Sequence, residues 1–139
     1  VHRKPHDLTT MVLDWGSIKW FVSPSTVSGA TSSFGEVVIN PTKGHDRHEH
    51  PGADEVLHVI EGTGRQTVGD GAEFEIVAGD TIWVPRGTPH STFNTGWKAL
   101  RLIATYTPGG EEQALRGLPD FVELPAGDTP VWKPADSSR

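Results

Sequence analysis

The chain contains no cysteine, so disulfide staples, thiolate nucleophiles and zinc knuckles are excluded, and any metal centre must be built from nitrogen and oxygen ligands. Positive charge is also scarce: 12 Lys and Arg stand against 18 Asp and Glu, a formal net charge of -6. The two signs are interspersed, which leaves no basic stripe for a phosphate backbone and no cationic face for lipid headgroups. Neither nucleic acid nor membrane is therefore an expected partner. No apolar run approaches the roughly 18 residues of a membrane span. The opening Val1-His2-Arg3-Lys4-Pro5 is not followed by the apolar stretch of a secretion signal. A soluble, cytoplasmic protein is the expectation.

What the chain does have is glycine and proline, 16 and 11 residues spread along its whole length. They punctuate short runs rich in Val, Ile, Thr, Phe and Trp, which is the pattern of an all-β domain. At 139 residues the chain, 1–139, reads as one domain. Strands are expected near residues 18–22, 34–40, 46–50, 55–60, 65–68, 73–77, 81–84, 90–94 and 99–106, giving a core at about 34–106 preceded by N-terminal strands within 10–33. Val68-Gly69-Asp70-Gly71-Ala72 reads as a tight hairpin, with Asp-Gly supplying the positive backbone angles. Within the C-terminal segment 107–139, the run Glu111-Glu112-Gln113-Ala114-Leu115-Arg116 after Pro108-Gly109 predicts one short helix. Beyond Pro119 an extended arm and a loose tail ending Asp136-Ser137-Ser138-Arg139 are expected.

The chemistry concentrates in Gly44-His45-Asp46-Arg47-His48-Glu49-His50-Pro51-Gly52-Ala53-Asp54-Glu55-Val56-Leu57-His58-Val59-Ile60-Glu61-Gly62. On a strand over 46–50, side chains two apart share a face, so His48 and His50 point one way and Arg47 and Glu49 the other. Pro51-Gly52 breaks the strand and Glu55 starts the next, adding a carboxylate to two imidazoles. Leu57 and Val59 share its face and would make an apolar wall. A second segment, Gly79-Asp80-Thr81-Ile82-Trp83-Val84-Pro85-Arg86-Gly87-Thr88-Pro89-His90-Ser91-Thr92-Phe93-Asn94, carries one more histidine behind a Pro and Gly turn.

Together the two segments resemble the paired motifs of the cupin superfamily. The first is a His-x-His, then a Glu after four intervening residues and a Gly seven further on; the second is G-x5-P-x-G-x2-H-x3-N. Gly79, Pro85, Gly87, His90 and Asn94 match every fixed position of the second motif. The first departs once: its opening glycine should fall at Thr42, whereas the nearest here is Gly44. The resemblance implies a double-stranded β-helix, or jelly-roll barrel. It also implies one divalent metal ion held by His48, His50, Glu55 and His90, with the three histidines acting catalytically through the metal. Zinc is the favoured ion, with iron, manganese and nickel as alternatives. A metal so held keeps one or two positions open, as a catalytic ion requires.

Other residues are secondary candidates. Trp83 and Phe93 either line a pocket or belong to the core, and Gln66 could face inward with a free amide. His58 falls opposite the Glu55 face, His45 lies ahead of the strand where solvent is the expected neighbour, and His2 and His6 sit in a terminal segment. Arg47 and Arg101 could bind an anionic substrate or pair with surface carboxylates.

The same ligand set serves Lewis-acid cyclisation, isomerisation and elimination, or oxygen activation with a redox metal. The stretch from Phe21 to Phe34, with its Ser-Pro, Thr-Val and Gly-Ala-Thr elements, is similar to the segment preceding the first motif in small cupin cyclases of bacterial aromatic polyketide pathways. That similarity implies an intramolecular aldol cyclase acting on a small carbonyl or polyketide substrate. The rivals are an Fe(II)-dependent dioxygenase cleaving a diketone or phenol, a sugar isomerase or lyase, and a ligand-binding barrel without catalysis. Apolar residues at Trp15, Ile18, Trp20 and Phe21 suggest a contact surface for a homodimer.

Overall fold

The computed structural model describes residues 1–131; the polar ending expected at 136–139 lies outside them. After a 3-10 turn at Pro5–Asp7 come eleven strands: β1 (Thr10–Leu13), β2 (Gly16–Val22), β3 (Ser33–Ile39), β4 (Gly44–His48), β5 (Asp54–Glu61), β6 (Thr63–Val68), β7 (Phe74–Val77), β8 (Thr81–Val84), β9 (His90–Asn94), β10 (Leu100–Thr107) and β11 (Val122–Leu124). The expected short helix is a 3-10 helix at Glu111–Gly117, between β10 and β11.

Two antiparallel sheets face each other. The larger runs β11-β1-β2-β3-β10-β5-β8 and the smaller β4-β9-β6-β7, the double-sheet arrangement of a jelly roll. Alternation decides which side chains meet between them. β10 buries Leu100, Leu102, Ala104 and Tyr106, β5 buries Glu55, Leu57 and Val59, and β2 buries Ile18 and Trp20. Each fully buried Leu or Ile among these contributes about 2 kcal/mol relative to exposure. Trp15, Ile18 and Trp20 are thus core rather than contact surface, and only Phe21 of that run stays half-exposed.

One turn and one strand differ from the sequence expectation. β6 and β7 pair with Gln66 opposite Phe74, so the connection is wider than a two-residue hairpin. Gly69, not Gly71, adopts the positive backbone angle, with φ 62°. The other difference is β11, which the proline-rich C-terminal segment does not suggest. It pairs with β1, Thr10 opposite Leu124, and covers that edge of the sheet. Among the described residues no helix is long and apolar enough to cross a membrane.

Candidate metal centre

β4 and β9 bring the first two imidazoles together. His48 is the cross-strand partner of His90, and the register slips between His45, opposite Thr92, and His48, opposite His90. Three steps along β4 against two along β9 make a bulge, which puts His45 and His48 on one face although they are three residues apart. β4 ends at His48, so His50 lies in the following turn rather than on the strand. Its carbonyl accepts from the Gly87 and Ala53 amides at 2.9 and 3.4 Å, which fixes its backbone beside the second motif. β5 supplies Glu55. Asn94 closes the arrangement below: its amide donates to the carbonyls of Ile39 and Lys98, and its oxygen accepts from the Gly96 amide.

His48, His50, Glu55 and His90 each offer one ligand atom, all within 4.8 Å of one another. The Nδ1 atoms of His48 and His90 lie 2.7 and 2.9 Å from the carbonyls of Asp46 and Thr88. A carbonyl can only accept, so Nδ1 carries a proton and Nε2 is the nitrogen left to face inward, with a lone pair for a cation in the neutral ring. Nε2 of His50 and of His90 stand 2.8 and 3.4 Å from Glu55 Oε2, yet none of these three buried atoms has an aligned hydrogen bond. Each orphaned polar atom costs about 1–3 kcal/mol, and a shared cation would satisfy all three.

The electrostatics fit that role. Burial by itself would raise the Glu55 carboxyl, but the neighbouring His50 and His90 outweigh it and hold the group at about 2. Burial, helped by nearby His90, drives His48 down to about 4. Burial works against the charged form of His90 as well, but its contact with Glu55 wins and raises it. Neutral His48 and ionised Glu55 at neutral pH are the protonation states that a borderline divalent cation needs from its ligands.

The inner cavity beside this cluster is small, about 30 Å³, with Trp15, His45, Leu57, Thr92 and Tyr106 among its walls and no lysine or arginine. Two larger spaces lie outside: a pocket of about 330 Å³ where Asp14, Asp46, Arg47 and Asp120 join His45 and His48, and a groove of about 260 Å³ between β4 and the 3-10 helix, lined by His45, His48, Glu49, His50, Pro51 and, from the helix side, Glu111, Ala114, Leu115 and Leu118. Leu57 is the one aliphatic wall residue named from the sequence that reaches the cavity; Val59 is fully buried but outside its lining. The Gln66 amide is not free, since its oxygen accepts from the Thr92 hydroxyl at 2.6 Å and its nitrogen donates to the Thr67 carbonyl at 3.2 Å.

Trp83 is neither pocket nor core: it faces solvent, 61% exposed, on the outer side of β8. Phe93 lies half-buried under the Arg65 guanidinium, 5.1 Å from ring centroid to Cζ, away from the cavity. His58 is on the outer face against the Thr81 hydroxyl, and His2 and His6 are exposed. Arg47 binds the Gly69 carbonyl and faces Asp70, while Arg101 pairs with Glu36 and Glu61. Neither arginine lines the inner cavity, though Arg47 borders the outer pocket that it shares with His45 and His48.

Three site neighbours had no place in the sequence reading, or the wrong one. His45 is half-buried rather than solvent-facing: its ring stacks between Trp15 at 4.9 Å and His48 at 3.6 Å, and burial, with His48 beside it, pulls it down to about 3. Tyr106 lies opposite Glu55 in the sheet with its ring 4.6 Å from His50; burial raises its phenol well above the usual range. Counting by twos from Leu100 along β10 would have placed it inward. Glu111 approaches His50 Nδ1 at 4.0 Å, and no local signal marks it.

Comparison with known proteins agrees with this geometry. The family model described as Cupin domain matches residues 35–106. The chain is 30% identical over 100 residues to an uncharacterized protein of Methanocaldococcus jannaschii, covering 71% of this chain and 79% of that one. It is 33% identical over 94 residues to the tetracenomycin polyketide synthase protein TcmJ of Streptomyces glaucescens, covering 67% of this chain but only 62% of that relative's length. Among solved structures, Bacillus subtilis oxalate decarboxylase, a protein with Mn(II) centres, is 25% identical with a TM-score of 0.62, over 69% of this chain and 26% of that one.

Proposed function

The chain belongs to the cupin domain family, and from that premise we propose that it is a metal-dependent enzyme closing a ring in a small polyketide-type carbonyl substrate by intramolecular aldol addition and loss of water. The observation that carries the reading is the cluster of His48, His50, Glu55 and His90 beside a groove whose far wall is apolar, formed by Ala114, Leu115 and Leu118. These four residues would hold one divalent ion; zinc is proposed because the reaction is redox-neutral. When bound, the ion supplies Lewis-acid polarisation of a carbonyl oxygen.

The remaining work falls to the chain's own side chains. Pro51, Ala114, Leu115 and Leu118 line the groove and would hold a flexible keto chain in a reactive conformer while excluding bulk water. The inner cavity of about 30 Å³ has room for one carbonyl-sized group, so the rest of the substrate lies in the groove. Tyr106, kept protonated by burial, is placed to donate a hydrogen bond at the cavity wall. In the reaction a proton leaves the carbon beside one carbonyl, that carbon bonds to a second carbonyl carbon, and the resulting hydroxyl departs with another proton as water. No oxidant is consumed.

Similarity to the Streptomyces polyketide synthase protein supports this substrate class. A small dicarboxylate, by contrast, would find no lysine or arginine in the cavity lining. Zinc-loaded protein incubated with a linear poly-β-keto thioester should yield a dehydrated cyclic product by mass spectrometry, and His50→Ala should not. An unchanged product profile in His50→Ala would sink the reading, and oxygen uptake with a diketone would replace it with the dioxygenase.

A further inference from the structure

The ring nitrogens of the three ligand histidines are not all held alike. His48 and His90 each point Nδ1 at the carbonyl two residues earlier, Asp46 and Thr88. His50 makes no such bond among the described residues; its Nδ1 instead faces Oε2 of Glu111 at 4.0 Å. The backbone of His50 is clamped by the Gly87 and Ala53 amides, and one ring neighbour is Tyr106, 4.6 Å away. Ring rotation is the remaining freedom, bounded by Glu55 Oε2 at 2.8 Å from Nε2 on the inner side and by the group beside Nδ1 on the outer side.

Gly52 gives this contact a second, independent mark. A Cβ placed there would lie 2.2 Å from Glu111 Oε1, so the space a side chain would fill is taken by the carboxylate. Gly52 is not among the glycines with positive φ, so its backbone does not itself require glycine. Glu111 is also placed from below. Its neighbour Glu112 is 1% exposed, accepts from the Ser33 hydroxyl at 2.8 Å and from the Gly110 amide at 3.0 Å, and so ties the start of the 3-10 helix to β3.

Resting on the metal reading above, we propose that Glu111 is a positioning residue of the metal centre: its carboxylate accepts from the Nδ1–H of His50 when Nε2 holds the ion, and so keeps the ring aimed at it. The 4.0 Å separation exceeds a hydrogen bond, so the Glu111 side chain, 21% exposed, must turn toward His50 when the ion is bound. Metal-bound histidines commonly donate their second N–H to a carboxylate, and losing that partner weakens metal binding ten- to a hundredfold. Here the carboxylate comes from outside the matched segment 35–106, so the C-terminal helix that walls the groove also orders the metal site.

The test measures Zn(II) affinity by competition with a chromophoric chelator. Glu111→Ala should weaken zinc binding about ten- to a hundredfold, while Glu111→Gln, which keeps an acceptor, should recover most of the affinity. Gly52→Ala, which displaces the carboxylate without removing it, should weaken binding similarly and add nothing further in the Glu111→Ala background. Equal zinc affinity in wild type and Glu111→Ala, or a Gly52→Ala loss that persists undiminished in the double variant, overturns this inference alone. A wild type that takes up no zinc overturns it together with the metal reading.

Discussion

His48 of β4 stands directly across the strand pair from His90 of β9, with the two ring centroids 4.2 Å apart. Each ring has its Nδ1 committed to a backbone carbonyl, so both inner nitrogens face a shared point that Glu55 reaches from the opposite sheet. A cation there links the two sheets of the barrel. Zinc at about a hundred times its Kd should stabilise the fold by about 2.7 kcal/mol, seen in calorimetry as a rise in Tm that a chelator reverses. His90→Ala should remove the rise; a wild-type Tm indifferent to zinc would argue against a metal centre.

Thr42 stands where the family motif has glycine, and its φ is 64°. A β-branched residue in the left-handed region is strained by about 1–2 kcal/mol. Thr42→Gly should therefore stabilise the protein by about 1 kcal/mol and raise Tm by about 3 °C. A lower Tm would mean that contacts of the threonine side chain outweigh the backbone strain.

The metal-free protein should lose stability in mild acid. His45 and His48 protonate at about 3 and about 4 when folded, against an ordinary value of 6.5. Below 6.5 the unfolded chain therefore binds more protons, and stability falls from there down toward pH 4. Glu55, held at about 2 against an ordinary 4.5, contributes above 4.5 and loses that contribution only at still lower pH. His90, raised, acts in the opposite sense: its contribution is present below 6.5 and fades as pH rises through its folded value. Urea midpoints of chelator-treated protein should drop between about pH 7 and pH 4.5. His45→Phe should flatten that slope, and an unchanged slope would show that His45 is hydrated in solution.

Glu112 is a buried carboxylate whose side-chain partner is the Ser33 hydroxyl. Ser33→Ala leaves one of its oxygens without that donor and should cost about 2 kcal/mol, measured by urea unfolding. A loss below about 0.5 kcal/mol would show that water replaces the hydroxyl and that the helix anchor is weak.

The alternation of side chains along short β-prone runs was legible in the sequence, and it set the shared face of Glu55, Leu57 and Val59. The spacing of Gly79, Pro85, Gly87, His90 and Asn94 marked the family, and with it the cluster His48, His50, Glu55 and His90. Even the departure at Thr42 had a backbone meaning, because the motif glycine occupies a left-handed position. Alternation did mislead at β4, where the bulge turns His45 toward His48 and the strand ends before His50.

By itself, then, the sequence determined the all-β architecture, the cupin family and the identity of the clustered histidines and glutamate, because period and spacing are local properties that a linear pattern carries. Only the tertiary structure decided that Trp83 faces solvent, that β11 covers the edge at β1, that the inner cavity holds about 30 Å³, and that Glu111 fills the space beside Gly52 next to His50. Each of these depends on which distant element packs against a given face, and no local period records that.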